Sequence, residues 1–336
     1  MVMKSCKNIL VALSLLAISP VAAGNLTQRD EIKNFVDDMV TRHQFNGPLL
    51  KKVFNKVNLQ PSIIEAMTRP AEGKPWYQYR PIFLTQSRIT GGIKFWDQHA
   101  EILARAEKKY GVPPEIIIAI IGVETRYGRH TGNYRVMDAL STLAFDYPPR
   151  SRFFKSELEH FLLMAREEQI DPLELKGSYA GAMGQPQFIA SSFRSYAVDF
   201  DGDGRRDLWG NTEDVIGSVA NYFKRHGWKK GEAITTRVSI KGKNYKKLLN
   251  KGLEPDSTLA EFRKHGIEVA KQYKNPLKAR LLEFETEDNA EYWAGLKNFY
   301  VITRYNHSAL YAMAVYQLSE EIRQQREART NKTAAK

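Results

Sequence analysis

One apolar stretch, residues 112–128 (VPPEIIIAIIGVETRYG), constrains the fold of this chain more than any other segment. Pro113 and Pro114 suit the first turn of a helix, where a missing N–H leaves no hydrogen bond unmade. No side chain from Ile116 to Val123 is polar, so the predicted helix has no face suited to water. The stretch therefore predicts a helix that is buried on all sides.

Glu124 is the carboxylate that closes this apolar run, and it admits two interpretations. Burial would raise its pKa and keep it protonated, and a protonated Glu near neutral pH can serve as a general acid. Alternatively, the carboxylate forms an ion pair with Arg126, Arg129 or another basic residue. The stretch alone does not decide between a catalytic and a structural role.

The composition allows a substantial core and indicates an anionic partner. With 336 residues, 43% of them hydrophobic, the chain is long enough for one large domain or two modest ones. Its formal net charge of +12 favours binding to polyanions. Nucleic acid, anionic lipid and the carboxylate-bearing bacterial cell wall all fit this description, so charge alone does not identify the partner.

Residues 1–23 have the pattern of a secretory signal peptide. Lys4 and Lys7 precede an apolar segment, residues 9–18, and small residues before Gly24 suit a cleavage site. Cys6 comes before the apolar segment, whereas a lipoprotein signal needs its cysteine after it. We therefore expect export to the periplasm with no lipid anchor, no disulfide and no thiol chemistry. A retained N-terminal anchor is the alternative.

The rest of the chain reads as mainly helical with one mixed segment. We expect residues 70–85 to be extended or looped, residues 88–109 to form one helix, and residues 235–240 and 279–286 to form strands. The predicted organisation is a signal peptide (1–23), an N-terminal helical region with an aromatic loop (24–110), a helical core (111–231), a small α+β insertion (232–297), a return helix (298–318) and a frayed tail (319–336).

Residues 177–192 (GSYAGAMGQPQFIASS) are small, polar and almost uncharged. Glycine and alanine let backbone approach backbone or a ligand closely. Ser178, Tyr179, Gln185 and Gln187 offer hydrogen bonds without charge, which suits sugar hydroxyl and acetamido groups. Tight helix packing explains the same composition equally well, so this segment supports either interpretation.

Residues 199–210 (DFDGDGRRDLWG) resemble an EF-hand calcium loop. Aspartates occupy positions 1, 3 and 5, a glycine occupies position 6, and position 7 would offer a backbone carbonyl. Position 12 is Gly210 instead of the usual bidentate Glu, so Glu213 or Asp214 would have to close the site. The alternative is an acidic turn without a metal.

Several separated motifs occur here in one order: GVETRYG, SYAGAMG, DFDGDGRRDLW, IGSVANYFKRHGW and RYNHSALYAMAV. Between residues 70 and 318 the chain therefore resembles the lytic murein transglycosylase B family, glycoside hydrolase family 103. The resemblance implies a mainly α (α+β) fold, in which a lysozyme-like helical core carries a flanking helical domain and a small β-containing insertion.

The resemblance also implies an activity, that of a peptidoglycan lytic transglycosylase. Glu124 matches the family's single catalytic acid/base, which protonates the glycosidic oxygen between N-acetylmuramic acid and N-acetylglucosamine. It then takes the proton of the muramyl C6 hydroxyl, which attacks C1 and leaves a 1,6-anhydro end, with no second carboxylate as nucleophile. The alternatives are a hydrolysing muramidase and a non-catalytic, calcium-braced peptidoglycan-binding protein.

Further residues are implied by their motif positions. The substrate-binding residues would be Tyr79, Arg150, Ser178, Gln187, Tyr305, Asn306 and Tyr311. The ligands of a structural calcium ion would be Asp199, Asp201, Asp203, the Arg205 carbonyl and Asp214. The implied partner is the glycan strand of peptidoglycan. We expect the protein to be a monomer that binds no nucleic acid, needs no organic cofactor and is not stably inserted in a membrane. Ala190 and Pro149 depart from the residues that are commoner in the family, and Pro149 removes one expected contact to a substrate carboxylate.

Overall fold

The structure is a computed structural model that describes residues 26–68, 73–249, 252–273 and 276–334. The predicted signal peptide lies outside the described residues. Within them, no helix has both the length and the apolar character needed to cross a membrane. The packing of the backbone divides the chain into two compact units, one up to Lys56 and one from Val57 onward.

The first unit is a pair of amphipathic helices, α1 (Asp30–His43) and α2 (Gly47–Phe54). Helix α1 ends where Gln44 takes a left-handed conformation, with φ of 57°. Asn46 then caps α2, because its side chain accepts a hydrogen bond from the Leu49 amide at 2.9 Å. Phe35 and Phe54 meet edge to face, with ring centroids 5.9 Å apart, and both are buried.

The second unit is mainly helical up to residue 225, as predicted. Its helices are α3 (Pro61–Thr68), α4 (Trp76–Phe83), α5 (Gln86–Gln98), α6 (Ala100–Tyr110), α7 (Pro114–Thr125), α8 (Val136–Asp146), α9 (Ser151–Glu167), α10 (Ala190–Tyr196) and α11 (Thr212–Arg225). Two short antiparallel strands, β1 (Tyr134–Arg135) and β2 (Lys176–Gly177), join the segments before α8 and after α9.

Helix α7 is the central helix of this unit. Its residues from Ile116 to Val123 are all buried, and α5, α6, α11 and α14 (Ala309–Ala334) surround it. The predicted helix, buried on all sides, is therefore confirmed. Glu124 at the C-terminal end of α7 retains partial contact with solvent, as does Glu115 in its first turn.

The mixed segment forms a small antiparallel sheet with its own core. Its strands are β3 (Thr235–Ile240), β4 (Ser257–Thr258), β5 (Ile267–Glu268), β6 (Lys278–Glu285) and β7 (Ala290–Gly295), in the order β4-β6-β7-β3-β5. Helix α12 (Leu259–Lys264) covers it, and Phe262 and Leu281 lie in the buried cluster. The strands predicted at 235–240 and 279–286 correspond to β3 and β6, whereas β7 was not predicted.

Two expectations for the first half of the second unit are wrong. Within residues 70–85, the part from Trp76 to Phe83 is helix α4, although Pro81 lies inside it. Burial of the aromatic side chains outweighs the proline, because Trp76 packs against Tyr79 and Phe284 at centroid distances of 6.4 Å and 5.3 Å. The single helix predicted at 88–109 is two helices, which are broken at His99.

The predicted frayed tail is also wrong. After the short helix α13 (Lys297–Thr303), helix α14 continues without a break to Ala334. Ser319 and Ile322 are fully buried in it. Arg323 pairs with Glu320 and Glu327 on the same helix at 2.9 Å and 3.1 Å. The charged residues of this segment therefore belong to the solvent side of a packed helix.

Candidate active site

The carboxyl group of Glu124 stands at the C-terminal end of α7 and has one close polar partner. The hydroxyl of Tyr311, in the first turn of α14, donates a hydrogen bond to Glu124 Oε1 at 2.5 Å. Burial raises the pKa of Glu124 to about 7, although the Tyr311 hydrogen bond acts in the opposite direction. Among the described residues, no second carboxylate contributes to this pKa. The carboxyl can therefore exchange a proton near neutral pH without an acidic partner.

Aromatic rings form one wall beside this carboxyl. Tyr305 and Tyr311 lie nearly parallel, with planes 10° apart and centroids separated by 6.5 Å. The Tyr305 hydroxyl donates to the Pro186 carbonyl at 2.6 Å, and its ring lies 5.9 Å from that of Phe188. Burial, together with the nearby Glu124 carboxylate, raises the pKa of both tyrosines well above its ordinary value. Both phenols therefore stay protonated and act as donors.

The segment rich in Gly and Ala lies against the end of α7. The Thr125 hydroxyl donates to the Gln185 carbonyl at 2.8 Å, which joins this segment to the residue after Glu124. A Cβ atom on Gly177 would lie 2.2 Å from the Ala182 carbonyl oxygen, and one on Gly132 would lie 2.1 Å from that of Gly177. The predicted close approach of backbone to backbone is therefore found here.

Ser178 and Gln187, the predicted polar residues of this segment, are tied down by hydrogen bonds. Ser178 Oγ accepts from the Ala180 and Ala182 amides at 3.3 Å and 3.0 Å. Gln187 Nε2 donates to the Thr131 and Gly184 carbonyls, both at 3.0 Å. The Ser178 hydroxyl hydrogen and the Gln187 side-chain oxygen are the groups that these contacts leave for a ligand. Both side chains are partly exposed.

The remaining predicted substrate residues differ in how close they lie to Glu124 and Tyr311. Tyr79 lies on α4, packed against Phe83 at a centroid distance of 5.1 Å, and it is close enough to Tyr311 to affect its pKa. Asn306 is exposed in the turn before α14. Arg150 is exposed at the end of a short turn, and its guanidinium lies 4.3 Å above the ring of Phe153. No contact in the described structure joins Arg150 to Glu124 or Tyr311.

The acidic loop at 199–203 brings three carboxylates together. One oxygen from each of Asp199, Asp201 and Asp203 lies within 4.8 Å of the others. Gly202 and Gly204 have φ of 85° and 90°, as the sharp turns of such a loop require. Hard oxygen donors at this spacing suit Ca²⁺, so the three aspartates fit the ion that the sequence predicts.

Asp214, the predicted closing ligand, is not one of the three carboxylates that converge, although burial and the nearby charges of Asp201 and Asp199 raise its pKa. Its side chain is fully buried. Its two oxygens accept hydrogen bonds from the Phe200 amide at 2.7 Å and the Asp207 amide at 2.8 Å. Glu213, the other candidate, is paired with Arg105. Asp214 therefore holds the loop backbone from α11, and its role as a calcium ligand stays a prediction.

Tyr127 and Arg88 lie beside the site but are not predicted from the sequence. The Tyr127 hydroxyl donates to the Arg88 carbonyl at 2.7 Å, and Arg88 Nε donates to the Gly122 carbonyl of α7 at 3.0 Å. Arg88 is only 7% exposed. Arginine is rarely buried to this extent unless its charged group is held by hydrogen bonds or an ion pair. A basic residue in an amphipathic helix gives no hint of this from sequence.

Comparisons with known proteins show the family to which the chain belongs. Residues 27–320 match the family model described as "Transglycosylase SLT domain". The chain is 43% identical over 309 residues to the membrane-bound lytic murein transglycosylase B of Escherichia coli K12, with coverage of 89% of this chain and 84% of the relative.

Two solved structures are similar over most of their length. Soluble lytic transglycosylase SltB1 from Pseudomonas aeruginosa has 54% sequence identity and a TM-score of 0.85, covering 88% of this chain and 99% of that one. Slt35 from Escherichia coli, in complex with calcium, has 44% identity and a TM-score of 0.84, covering 90% of this chain and 96% of that one. The predicted lysozyme-like helical fold is confirmed.

Proposed function

Because the chain belongs to the transglycosylase SLT domain family and is a lytic transglycosylase of murein, we propose that Glu124 carries both proton transfers of the reaction. The observation behind this proposal is the Glu124 carboxyl itself, whose pKa of about 7 is set by burial and Tyr311 and by no second carboxylate among the described residues. A group half protonated at neutral pH can serve as acid and then as base.

The proposed reaction proceeds in two balanced steps. Oε1 of Glu124 accepts the Tyr311 hydrogen bond, so the acidic proton resides on Oε2. That proton passes to the glycosidic oxygen between N-acetylmuramic acid and N-acetylglucosamine, and the bond from C1 to this oxygen breaks. The C6 hydroxyl oxygen then bonds to C1, and its proton returns to Glu124. The product has a 1,6-anhydro ring, and no water is consumed.

The surroundings of Glu124 support these roles. Tyr311 stabilises the carboxylate that exists between the two steps, since its hydrogen bond lowers the pKa of Glu124. The ring of Tyr305 is partly exposed and lies parallel to the buried ring of Tyr311, so Tyr305 offers apolar surface near the acid against which a sugar ring can pack. The segment around Ser178 and Gln187 supplies uncharged hydrogen-bonding groups for acetamido and hydroxyl groups.

The test combines a catalytic variant with analysis of products. Glu124→Gln should lower murein turnover by about 10² to 10⁴ or more, the usual contribution of a general acid. Glu115→Gln, at the other end of the same helix, is the matched control and should retain activity. Mass spectrometry of the wild-type products should find anhydro ends, which are lighter than hydrolysed ends by one water. Reducing ends would indicate the muramidase instead, and an active Glu124→Gln would contradict the catalytic role.

We also propose that the loop at 199–205 binds a calcium ion. The support is the convergence of Asp199, Asp201 and Asp203 and the complex of Slt35 with calcium. The ion would tie the loop together next to α11 and would take no part in the proton transfers. The Arg205 carbonyl remains the proposed fourth ligand.

Calcium binding is tested by thermal unfolding with millimolar Ca²⁺ and with a chelator. The ion should raise the melting temperature of the wild type, and Asp203→Asn should abolish most of that increase. Asp207→Asn is the control, because Asp207 accepts the Trp209 and Gly210 amides and lies outside the cluster. Equal melting curves with and without calcium would contradict the proposal.

For location, we infer export to the periplasm, where murein is found. The support is the basic and apolar pattern of residues 1–23. Cell fractionation of the full chain, with and without these residues, tests the inference. Retention of both forms in the cytoplasm would contradict it.

A further inference from the structure

The backbone directly after Glu124 has an unusual conformation. Helix α7 ends at Thr125, and the next three residues are all left-handed: Arg126, Tyr127 and Gly128 have φ of 51°, 62° and 82°. Residues other than glycine adopt this region at a steric cost and keep it only where their surroundings hold them. The Arg126 and Tyr127 amides donate to the Gly122 and Ile121 carbonyls, each at 3.2 Å. The chain is thereby folded back onto the end of α7.

The ring of Tyr127 occupies a slot that three glycines leave open. A Cβ atom on Gly122 of α7 would lie 2.5 Å from the Tyr127 hydroxyl oxygen. On α5, a Cβ on Gly92 would lie 2.7 Å from the same oxygen, and one on Gly91 would lie 2.8 Å from the ring. Glycine within a helix is destabilising, so these positions give up helix stability to make room for the Tyr127 side chain, and Gly92 also makes room for Ile322 of α14.

Arg88 fastens the same turn from α5. Its Nε donates to the Gly122 carbonyl at 3.0 Å, and another of its nitrogens donates to the Ile82 carbonyl. Both acceptors lie near helix C-termini, where the negative end of the helix dipole favours a cation. The Ile82 carbonyl belongs to α4, the helix that carries Tyr79. One buried guanidinium therefore joins the end of the catalytic helix to the end of α4.

From this arrangement we propose that Tyr127 and Arg88 are positioning residues, which hold the last turn of α7 so that the Glu124 carboxyl meets the Tyr311 hydroxyl. The proposal rests on the catalytic role proposed above for Glu124. Glu124 lies between Gly122 and Arg126 in the chain. Arg88 binds the Gly122 carbonyl, and the packing of Tyr127 in its slot holds the left-handed backbone at Arg126. In the described structure neither residue forms a hydrogen bond with the carboxyl. Both act through the backbone on either side of it.

The test compares two substitutions of Tyr127. Tyr127→Phe keeps the ring in its slot and removes only the hydrogen bond to Arg88. Tyr127→Leu empties most of the slot and should lower kcat by about tenfold or more, because small displacements of a catalytic group are costly. KM should change less than about twofold, since no substrate contact is lost. Tyr127→Phe should recover most of kcat.

The pH dependence separates positioning from loss of stability. If the turn loosens, the Glu124 carboxyl gains water, and the pKa seen in the kcat/KM profile should fall from about 7 toward its ordinary value. Tyr311 and Tyr305 are the titratable groups that face this carboxyl, and both remain neutral over that range. The matched control is Phe262→Leu in the buried core of the insertion, which should lower the melting temperature without moving kcat or the profile.

The outcomes separate this inference from the proposed function. A Tyr127→Leu protein with wild-type kcat and pH profile, beside an inactive Glu124→Gln, overturns the positioning role alone. The positioning role is also overturned if Tyr127→Leu and Phe262→Leu lose kcat equally and neither shifts the profile. An active Glu124→Gln overturns the catalytic role instead. Combining Arg88→Lys with Tyr127→Leu should cost no more than the larger single change, since the two act as one unit.

Discussion

At the scale of single residues, two opposing effects set the chemistry of Glu124. Burial at the end of α7 raises its pKa, and the Tyr311 hydrogen bond holds that rise to a pKa of about 7. A carboxyl with burial alone would keep its proton too firmly to act as a base afterwards. A carboxyl with more hydrogen bonds would have no proton to give at neutral pH. The pairing of one acid with one phenol therefore suits both proton transfers.

This balance predicts a pH-dependent cost in stability. The folded pKa of Glu124 is about 7 against an ordinary 4.5, so the folded state binds the proton more tightly than the unfolded chain does. Its contribution to stability is fully present below pH 4.5 and is lost as the pH rises through 7. The loss is at most about 3 kcal/mol, and the partial exposure of the carboxyl reduces it further.

Glu124→Gln should therefore be more stable than the wild type at pH 8, by up to about 3 kcal/mol, and equal to it to within about 0.5 kcal/mol at pH 4. Thermal unfolding of both proteins across this range is the measurement. A difference that stays constant with pH would show that the carboxyl does not titrate as described.

At the scale of elements, the sequence predicts a helix correctly where the residues of that helix alone indicate its structure and burial. Helix α7 was predictable because every position from Ile116 to Val123 is apolar. Helices α4 and α14 were mispredicted because their stability depends on distant partners. Trp76 of α4 packs on Phe284 of β6, and nothing near Trp76 in the sequence reveals that contact.

The candidate site was predictable to the same limited extent. Motifs gave Glu124, Tyr305 and Tyr311, which the structure brings together. They could not give the slot of Tyr127, because its walls come from glycines on two helices that are separate in sequence. Spacing alone also could not show whether Asp214 accepts backbone amides or binds the metal, since the two kinds of carboxylate look alike in sequence.

The C-terminal half of α14 provides a prediction at this scale. Ile322 is fully buried, and its side chain lies against Gly92, where an added Cβ would be 2.5 Å from Ile322 Cδ1. Ile322→Ala should lower the free energy of unfolding by about 2–5 kcal/mol. Gln324→Ala, at an exposed position of the same helix, should change it by less than about 0.5 kcal/mol.

Urea unfolding of the two variants measures the difference. Equal midpoints would mean that the second half of α14 frays, as the sequence first indicated. A large loss for Ile322→Ala alone would show that this half belongs to the core. The result also bears on the site, because α14 carries Tyr311 at its other end.

At the scale of the whole molecule, the site is assembled from segments that are far apart in the chain. Helix α7 supplies Glu124, and α14 supplies Tyr311 almost two hundred residues later, at a separation of 187 positions. The insertion lies between them and keeps its own buried cluster around Phe262 and Leu281. The two sides of the site therefore meet only when the helical core is complete, so partial folding should give no activity.

The net charge of +12 adds a further expectation at this scale. Murein carries carboxylates on its lactyl and peptide groups, so a positively charged enzyme is attracted to it over roughly one Debye length, about 10 Å at 0.1 M salt. Binding of Glu124→Gln to intact murein should weaken severalfold when the salt rises from about 0.05 M to about 0.3 M, because screening shortens that range. Uncharged chitin-type oligosaccharides are the control, since their binding relies on hydrogen bonds and ring contacts alone. Sedimentation of murein with bound protein measures binding to murein, and calorimetry measures binding to the uncharged oligosaccharides. If salt weakened both ligands equally, the surplus charge would have no part in substrate capture.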